Sequence, residues 1–435
     1  MPKRAGSVPA RVAYLTVEYP RATDTWIQRE IASLRQRGME VDSFAVRRPG
    51  DEHMVGPEQR AERDTTTYLY PRLRTAGLAL THLWLLARSP RRYLGGLRLA
   101  WSTRRPGIAG TAFQLMYFLE AGLLAGLLRR RRIGHLHNHL GDSSCSVAML
   151  AAQLGGFGFS FTLHGPGIFF EPYTWRLDAK LARARFCTCI SYFCRSQAAI
   201  FASPDDLDRL HIVHCGVDPA ALGRRVHSNE GEAGGGHLLF VARLAELKGV
   251  SVLLDAMAIV IKTHPGTHLT ILGDGPARAR FEQLSRELGL DQAVTFAGYR
   301  SQAEVAQHLS GTDVFVLPSY AEGVPVTLME ALGSAVPVVA TQVGGVSELV
   351  EHGVSGFVVR PGDADQLAQR LCELIADPEL RQQFGDAGRE VVTREFSNDI
   401  EAGRLQALFA NAVAGHPSPL RPAPSPGPAP SVAQS

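Results

Sequence analysis

The sequence predicts an α/β protein of two doubly wound, Rossmann-like domains that face each other across a cleft. Three observations predict it. At 435 residues the chain exceeds what one compact core usually supports. Short β-rich runs alternate with amphipathic helical stretches in two separate series, the arrangement of parallel sheets covered on both faces. Between the series lies RRVHSNEGEAGGGH (224–237), which has no periodicity and reads as a linker.

The first series opens with RVAYLTVEY (11–19), a helix over 24–37 and VDSFAVR (41–47). It resumes with IGHLHNHL, a helix near 143–154, FGFSFTLHG, a helix near 175–184, FCTCIS, a helix near 192–202 and LHIVHCGVD. The second series runs through HLLFVAR (237–243), a helix over 249–263, HLTILGDG, a helix over 277–288, AVTFAGY and a helix over 301–310. DVFVLPS (313–319), a helix after Pro325, PVVAT (337–341), GFVV (356–359) and helices over about 363–413 complete it. The expected units are a first domain over 1–220, a linker over 221–236, a second domain over 237–395, a helix over 396–414 packing back on the first domain, and a disordered Pro-rich tail over 415–435. Ligands of such sheets bind at the carboxyl ends of the strands, so chemistry is expected in the cleft.

Composition narrows the class. AGSVPARVAYLTVEYP lacks the apolar core and cleavage site of a secretory signal. The six cysteines have neither paired zinc spacing nor a disulfide-scaffold context, and read as reduced, half-buried cytoplasmic thiols. Charge is uneven: residues 72–132 hold twelve arginines against one acid, Glu120, while the whole chain is at +3. Apolar runs such as AGLALTHLWLLA lie between those arginines, suiting an anionic membrane surface, or arginines solvated over an ordinary core. No stacking platform or nucleic-acid motif accompanies the charge, so nucleic acid is not expected as a partner. The apolar stretch 107–128 is long enough to span a bilayer, but Gln114 and Glu120 favour a helix buried against a sheet.

The segment PSYAEGVPVTLMEALGSAVPVVA (318–340) concentrates the functional signal. Glu322 follows a strand, Gly323 permits close approach, and Pro325 suits a helix start. The amides of Val326, Thr327 and Leu328 then form a phosphate-binding end, while Glu330 stands further in, within reach of hydroxyl groups. Glu322 as a helix-dipole partner and Glu330 as an ordinary helix former is the plain alternative. Arg243 and Lys248, near another strand end, are uncomfortable together without an anion such as a diphosphate. ILGDGP, with Gly273 and Asp274, and GYR, with Tyr299 and Arg300, end two neighbouring strands where a ribose and base could rest.

EGVPVTLME, ARLAELKG, GDGP and TQVGGVSELVEHGVSGFVV together resemble the retaining glycosyltransferases of family 4, which have the GT-B fold. VEYPRATDTWIQREIASLRQRG and FTLHGPGIFF resemble the exopolysaccharide and colanic-acid branch; EYPRATDT stands where many members have a Gly-Gly loop. The resemblance implies transfer of a hexose from a nucleotide-diphosphate sugar, UDP favoured over GDP. Its implied acceptor is a saccharide, polyprenyl-diphosphate-linked, with the enzyme peripheral at the inner face of the cell membrane. It implies that Arg243 and Lys248 neutralise the leaving diphosphate and that Glu322 holds sugar hydroxyls. Amides from Gly323 and Val324 through Leu328 would surround sugar and phosphate, Glu330 would bind the ribose, and His164 would face the donor. The resemblance also implies same-face attack without a dedicated nucleophile.

No metal or other cofactor is expected. Asp206 and Asp208, and Asp363 and Asp365, read as helix-start caps rather than metal ligands. His137 and His139 tempt a zinc assignment, but alternating strand residues are taken to point to opposite faces and no third ligand is evident. Alternative functions are a GT-B-like nucleotide-sugar epimerase and a non-catalytic membrane scaffold retaining the fold. A dehydrogenase is disfavoured because neither domain starts with a Gly-rich dinucleotide fingerprint.

Overall fold

The computed structural model describes residues 11–73, 75–225 and 236–421, so most of the anticipated linker and residues 422–435 lie outside the described residues. The first sheet comprises β1 (Arg11–Glu18), β2 (Glu40–Arg47), β3 (Thr67–Tyr68), β4 (His135–His139), β5 (Gly158–Leu163), β6 (Cys187–Cys189) and β7 (Leu210–Ile212). They lie in the order β3-β2-β1-β4-β5-β6-β7, every pair parallel. The second sheet comprises β8 (His237–Val241), β9 (His268–Leu272), β10 (Val294–Gly298), β11 (Val314–Leu317), β12 (Val338–Thr341) and β13 (Gly356–Val359). Its order is β10-β9-β8-β11-β12-β13, again all parallel.

Both orders place the topological switch where chemistry was expected. The first sheet reverses between β1 and β4, the second between β8 and β11. Loops leaving neighbouring strands in opposite directions open a crevice there. The crevice of one sheet is flanked by the helix Thr25–Gln36 and the end of β4, that of the other by the loops after β8 and β11.

Strands buried on both faces have near-continuous apolar sequence. In β11 Val314, Phe315, Val316 and Leu317 are all buried. The helix Gly107–Arg130 is asymmetric: Glu120 to Gly126 is buried, while Ile108, Phe113 and Leu115 are exposed. Its inner half packs on the helices Ala76–Arg88 and Ser143–Gly155. The helix anticipated near 175–184 is only the short Leu177–Leu181, after Gly167–Phe170; Arg176 just before it takes a left-handed conformation, φ +49°, outside the helical region.

The chain returns to the first domain near its end. Val217 and Ser397 form an isolated bridge, and the helix Asn398–Ala414 packs on Thr25–Gln36. Arg421, beyond that helix, is anchored to the body of the chain. Its guanidinium lies 2.9 Å from Glu395 and 3.2 Å from buried Glu401.

Candidate active site

The second-domain wall is built by local sequence. Pro325 begins the helix Val326–Gly333 and offers no side-chain cap, which leaves the first-turn amides without the usual side-chain acceptor. Glu322 and Glu330 are only 8% and 9% exposed. Carboxylates this buried require partners. Glu322 Oε1 accepts from Lys248 Nζ at 2.6 Å and from Ser319 Oγ at 2.6 Å. Lys248 ends a short 3-10 turn, Glu246–Lys248, so its counter-charge here is Glu322. Arg243 is exposed on the same loop with no carboxylate partner among the described residues.

Two glycines allow the loops to close up. A Cβ on Gly323 would lie 2.0 Å from the His164 carbonyl oxygen of the first domain. Gly344 has φ +55°, and a Cβ there would lie 1.9 Å from the Glu322 carbonyl oxygen. Val324 is buried beside Gly345. At the neighbouring strand ends, Gly273 N–H donates to the Gly298 carbonyl at 2.8 Å, and Asp274 pairs with Arg278 at 2.8 Å, which lowers its pKa. Tyr299 and Arg300 follow Gly298 on the exposed surface; Arg300 lies 3.7 Å from Glu304.

The first-domain wall joins distant segments. Trp26, Arg29 and Glu30 share one side of the helix Thr25–Gln36 by their i, i+3, i+4 spacing. Arg29 crosses the cleft to Glu330 Oε1 at 2.5 Å; its other terminal nitrogen is buried without a partner among the described residues. Glu30 Oε1 accepts from Tyr14 Oη at 2.6 Å and lies 3.1 Å from His139 Nε2. His139 Nδ1 is 2.8 Å from His164 Nε2, and His164 Nδ1 is 3.5 Å from Cys215 Sγ.

One proton arrangement satisfies this row. His139 Nε2–H donates to Glu30, His164 Nε2–H donates to His139, and the Cys215 thiol donates to His164. Burial, then neighbouring His139, holds the His164 pKa well below the usual histidine range, and burial raises that of Cys215. Trp26 covers the His164 ring at 3.8 Å between centroids. The His164 ring nitrogens face first-domain partners, and its carbonyl approaches Gly323 of the other wall. The row escaped sequence reading because its members span residues 14 to 215; the only local signal was the helical spacing of Trp26, Arg29 and Glu30.

The readings of possible metal residues change in part. His137 and His139 stand on the same face of β4, since strand side chains repeat every two residues, and Glu30 is near both. Strand alternation therefore does not separate the two imidazoles. His137 already bonds Ser160 at 2.8 Å and Thr162 at 2.9 Å, and His139 is engaged in the row above. Asp363 caps a helix by accepting from Gln366 N at 2.9 Å, whereas Asp206 accepts from Ser203 Oγ at 2.8 Å and pairs with Arg209 at 3.0 Å.

A further cross-domain contact involves Glu348, which follows the Gly344–Gly345 corner. Its carboxylate accepts from Tyr192 N and Phe193 N at 2.7 Å each, at the start of the helix Tyr192–Ala199. Burial raises the Glu348 pKa against the lowering effect of these bonds.

Residues 228–391 match the family model described as Glycosyl transferases group 1, which takes in all of this second-domain wall. A protein of Salmonella typhimurium, provisionally named a colanic acid biosynthesis glycosyltransferase, is 26% identical over 92% of this chain and 99% of its own length. An amylovoran biosynthesis glycosyltransferase of Erwinia amylovora is 32% identical, across 46% of this chain and 51% of its own, about half its length. Sucrose-phosphate synthase from Thermosynechococcus elongatus superposes with TM-score 0.73 at 20% identity, covering 93% of this chain and 100% of that one. An Anabaena protein solved with UDP and glucose superposes with TM-score 0.69 at 17% identity, covering 92% and 99%. The fold is therefore GT-B.

Proposed function

We propose that this GT-B chain is a retaining glycosyltransferase of exopolysaccharide or cell-surface glycan biosynthesis. It moves a hexose from a nucleotide-diphosphate sugar, UDP-linked by preference, to a saccharide carried on a polyprenyl diphosphate. The enzyme works peripherally at the inner face of the cell membrane. The single observation that carries the reading is the Lys248–Glu322 pair, 2.6 Å apart, beside a helix start that has no side-chain cap.

The chemistry follows from charge. As the glycosidic bond to the diphosphate breaks, negative charge grows on the leaving oxygens, and Lys248, Arg243 and the amides of Val326, Thr327 and Leu328 stabilise it. Side chains rather than a metal ion do this work. Glu322 accepts hydroxyls of the sugar, and Glu330 exchanges its bond to Arg29 for the ribose hydroxyls. Tyr299 and Arg300 contact the base edge, with Gly273 and Asp274 shaping the floor beside it. The leaving phosphate takes the acceptor proton on the face it departs from, which preserves the anomeric configuration.

The names of the Salmonella and Erwinia relatives support the biosynthetic setting, and the UDP and glucose of the Anabaena complex support the donor class. The test is a panel of nucleotide sugars offered with lipid-linked saccharides, the products read by mass spectrometry and their anomeric configuration by NMR. Transfer with retention is expected. Inversion, or isomerised sugar nucleotide without acceptor, overturns the assignment.

A further inference from the structure

We propose that the helices Ala76–Arg88, Pro90–Thr103 and the outer half of Gly107–Arg130 form a docking surface for an anionic lipid bilayer, and that the corner between the last two enters the interface. The proposal rests on the membrane location above and specifies the surface responsible.

The helix Pro90–Thr103 has two distinct sides. Gly96, Leu99, Ala100 and Thr103 are buried, whereas Leu94, Leu97 and Trp101, spaced i, i+3, i+7, are exposed along one stripe. The corner continues it: Ile108 is 92% exposed, and Trp101, Arg104, Ile108 and Leu115 line an open hollow of about 490 Å³. On the preceding helix Leu80, Leu83 and Trp84 are exposed while Thr81, His82 and Leu85 face inward. Scattered exposed apolar residues need no explanation, but this concentration on three packed helices does.

Charge selects the occupant. Arg88, Arg91, Arg92 and Arg98 are exposed on the same helices, and none pairs with a carboxylate among the described residues. Arg104 lies 3.6 Å over the Trp101 ring and Arg129 5.4 Å from that of Trp84, cations held beside rings suited to a membrane interface. A second copy would bring two arginine-rich surfaces together. An anionic bilayer takes the apolar stripe into its boundary and the arginines onto its headgroups.

The experiment is co-sedimentation of the full chain with phosphatidylcholine vesicles, with and without phosphatidylglycerol, with tryptophan emission recorded. Binding to the anionic vesicles alone, with a blue shift, is expected. The W101S/I108S double variant lowers the partition by about tenfold or more, and R91S/R92S/R98S weakens binding and flattens its salt dependence. Both variants retain donor binding and transfer to a water-soluble acceptor, which separates this proposal from the catalytic one. Equal binding to neutral vesicles, wild-type partition of W101S/I108S, or a dimer that the double variant dissociates overturns it.

Discussion

The two walls of the cleft hold their polar groups in different ways. On the second-domain wall the contacts centre on one carboxylate, with Lys248 and Ser319 both on Glu322. Across from it, a row of aromatic rings, one carboxylate and a thiol runs from Tyr14 and Glu30 through His139 and His164 to Cys215, shielded by Trp26. Charge that must meet a leaving group is useful only where it can change partners. A packed chain of imidazoles, a phenol and a thiol leading to the Glu30 carboxylate instead fixes one geometry, since each member is costly to leave unpaired. Under the proposed function, reaction electrostatics belongs to the one wall and rigidity to the other.

The largest test of that division is on the charged wall. Glu322→Ala and Lys248→Ala each lower kcat/KM by about a hundredfold or more, with small changes in melting temperature; wild-type rates would remove the distinction. On the other wall the order of effects inverts. His139→Ala strands the His164 Nε2–H and a Glu30 acceptor, and lowers unfolding free energy by about 1–3 kcal/mol, measured by denaturant titration.

Arg29 and Glu330 join the walls, so Arg29→Ala and Glu330→Ala combine non-additively. A double-mutant cycle in stability gives a coupling of about 1–2 kcal/mol, and additivity would show that the 2.5 Å pair does not join the domains energetically.

The smallest effect concerns an acid far from the charged wall. Burial raises the Glu120 pKa from 4.5 to about 7. The folded state then holds the proton more tightly than the unfolded chain, so this contribution is full below pH 4.5 and is lost as pH rises through about 7. Glu120→Gln escapes the loss: its melting temperature exceeds that of the wild type by about 3 °C at pH 8 and matches it at pH 4.

The sequence by itself determined the alternation that makes two parallel sheets, the placement of Glu322, Arg243 and Lys248 after strand ends, and the helix start at Pro325 with Glu330 further along it. Each rests on residues a few positions apart, where periodicity, proline and glycine act directly on the backbone. In HNH the two-residue strand period sets His137 and His139 on one face of β4, whereas the left-handed turn at Arg176 that precedes Leu177–Leu181 has no local signal. Only the tertiary structure decided that Arg29 meets Glu330 across 301 residues, that His164 turns its ring toward His139, and that Arg421 is anchored by Glu395 and Glu401. Such pairings arise from sheet order and domain closure, which bring distant side chains together through packing and leave no regular spacing in the chain.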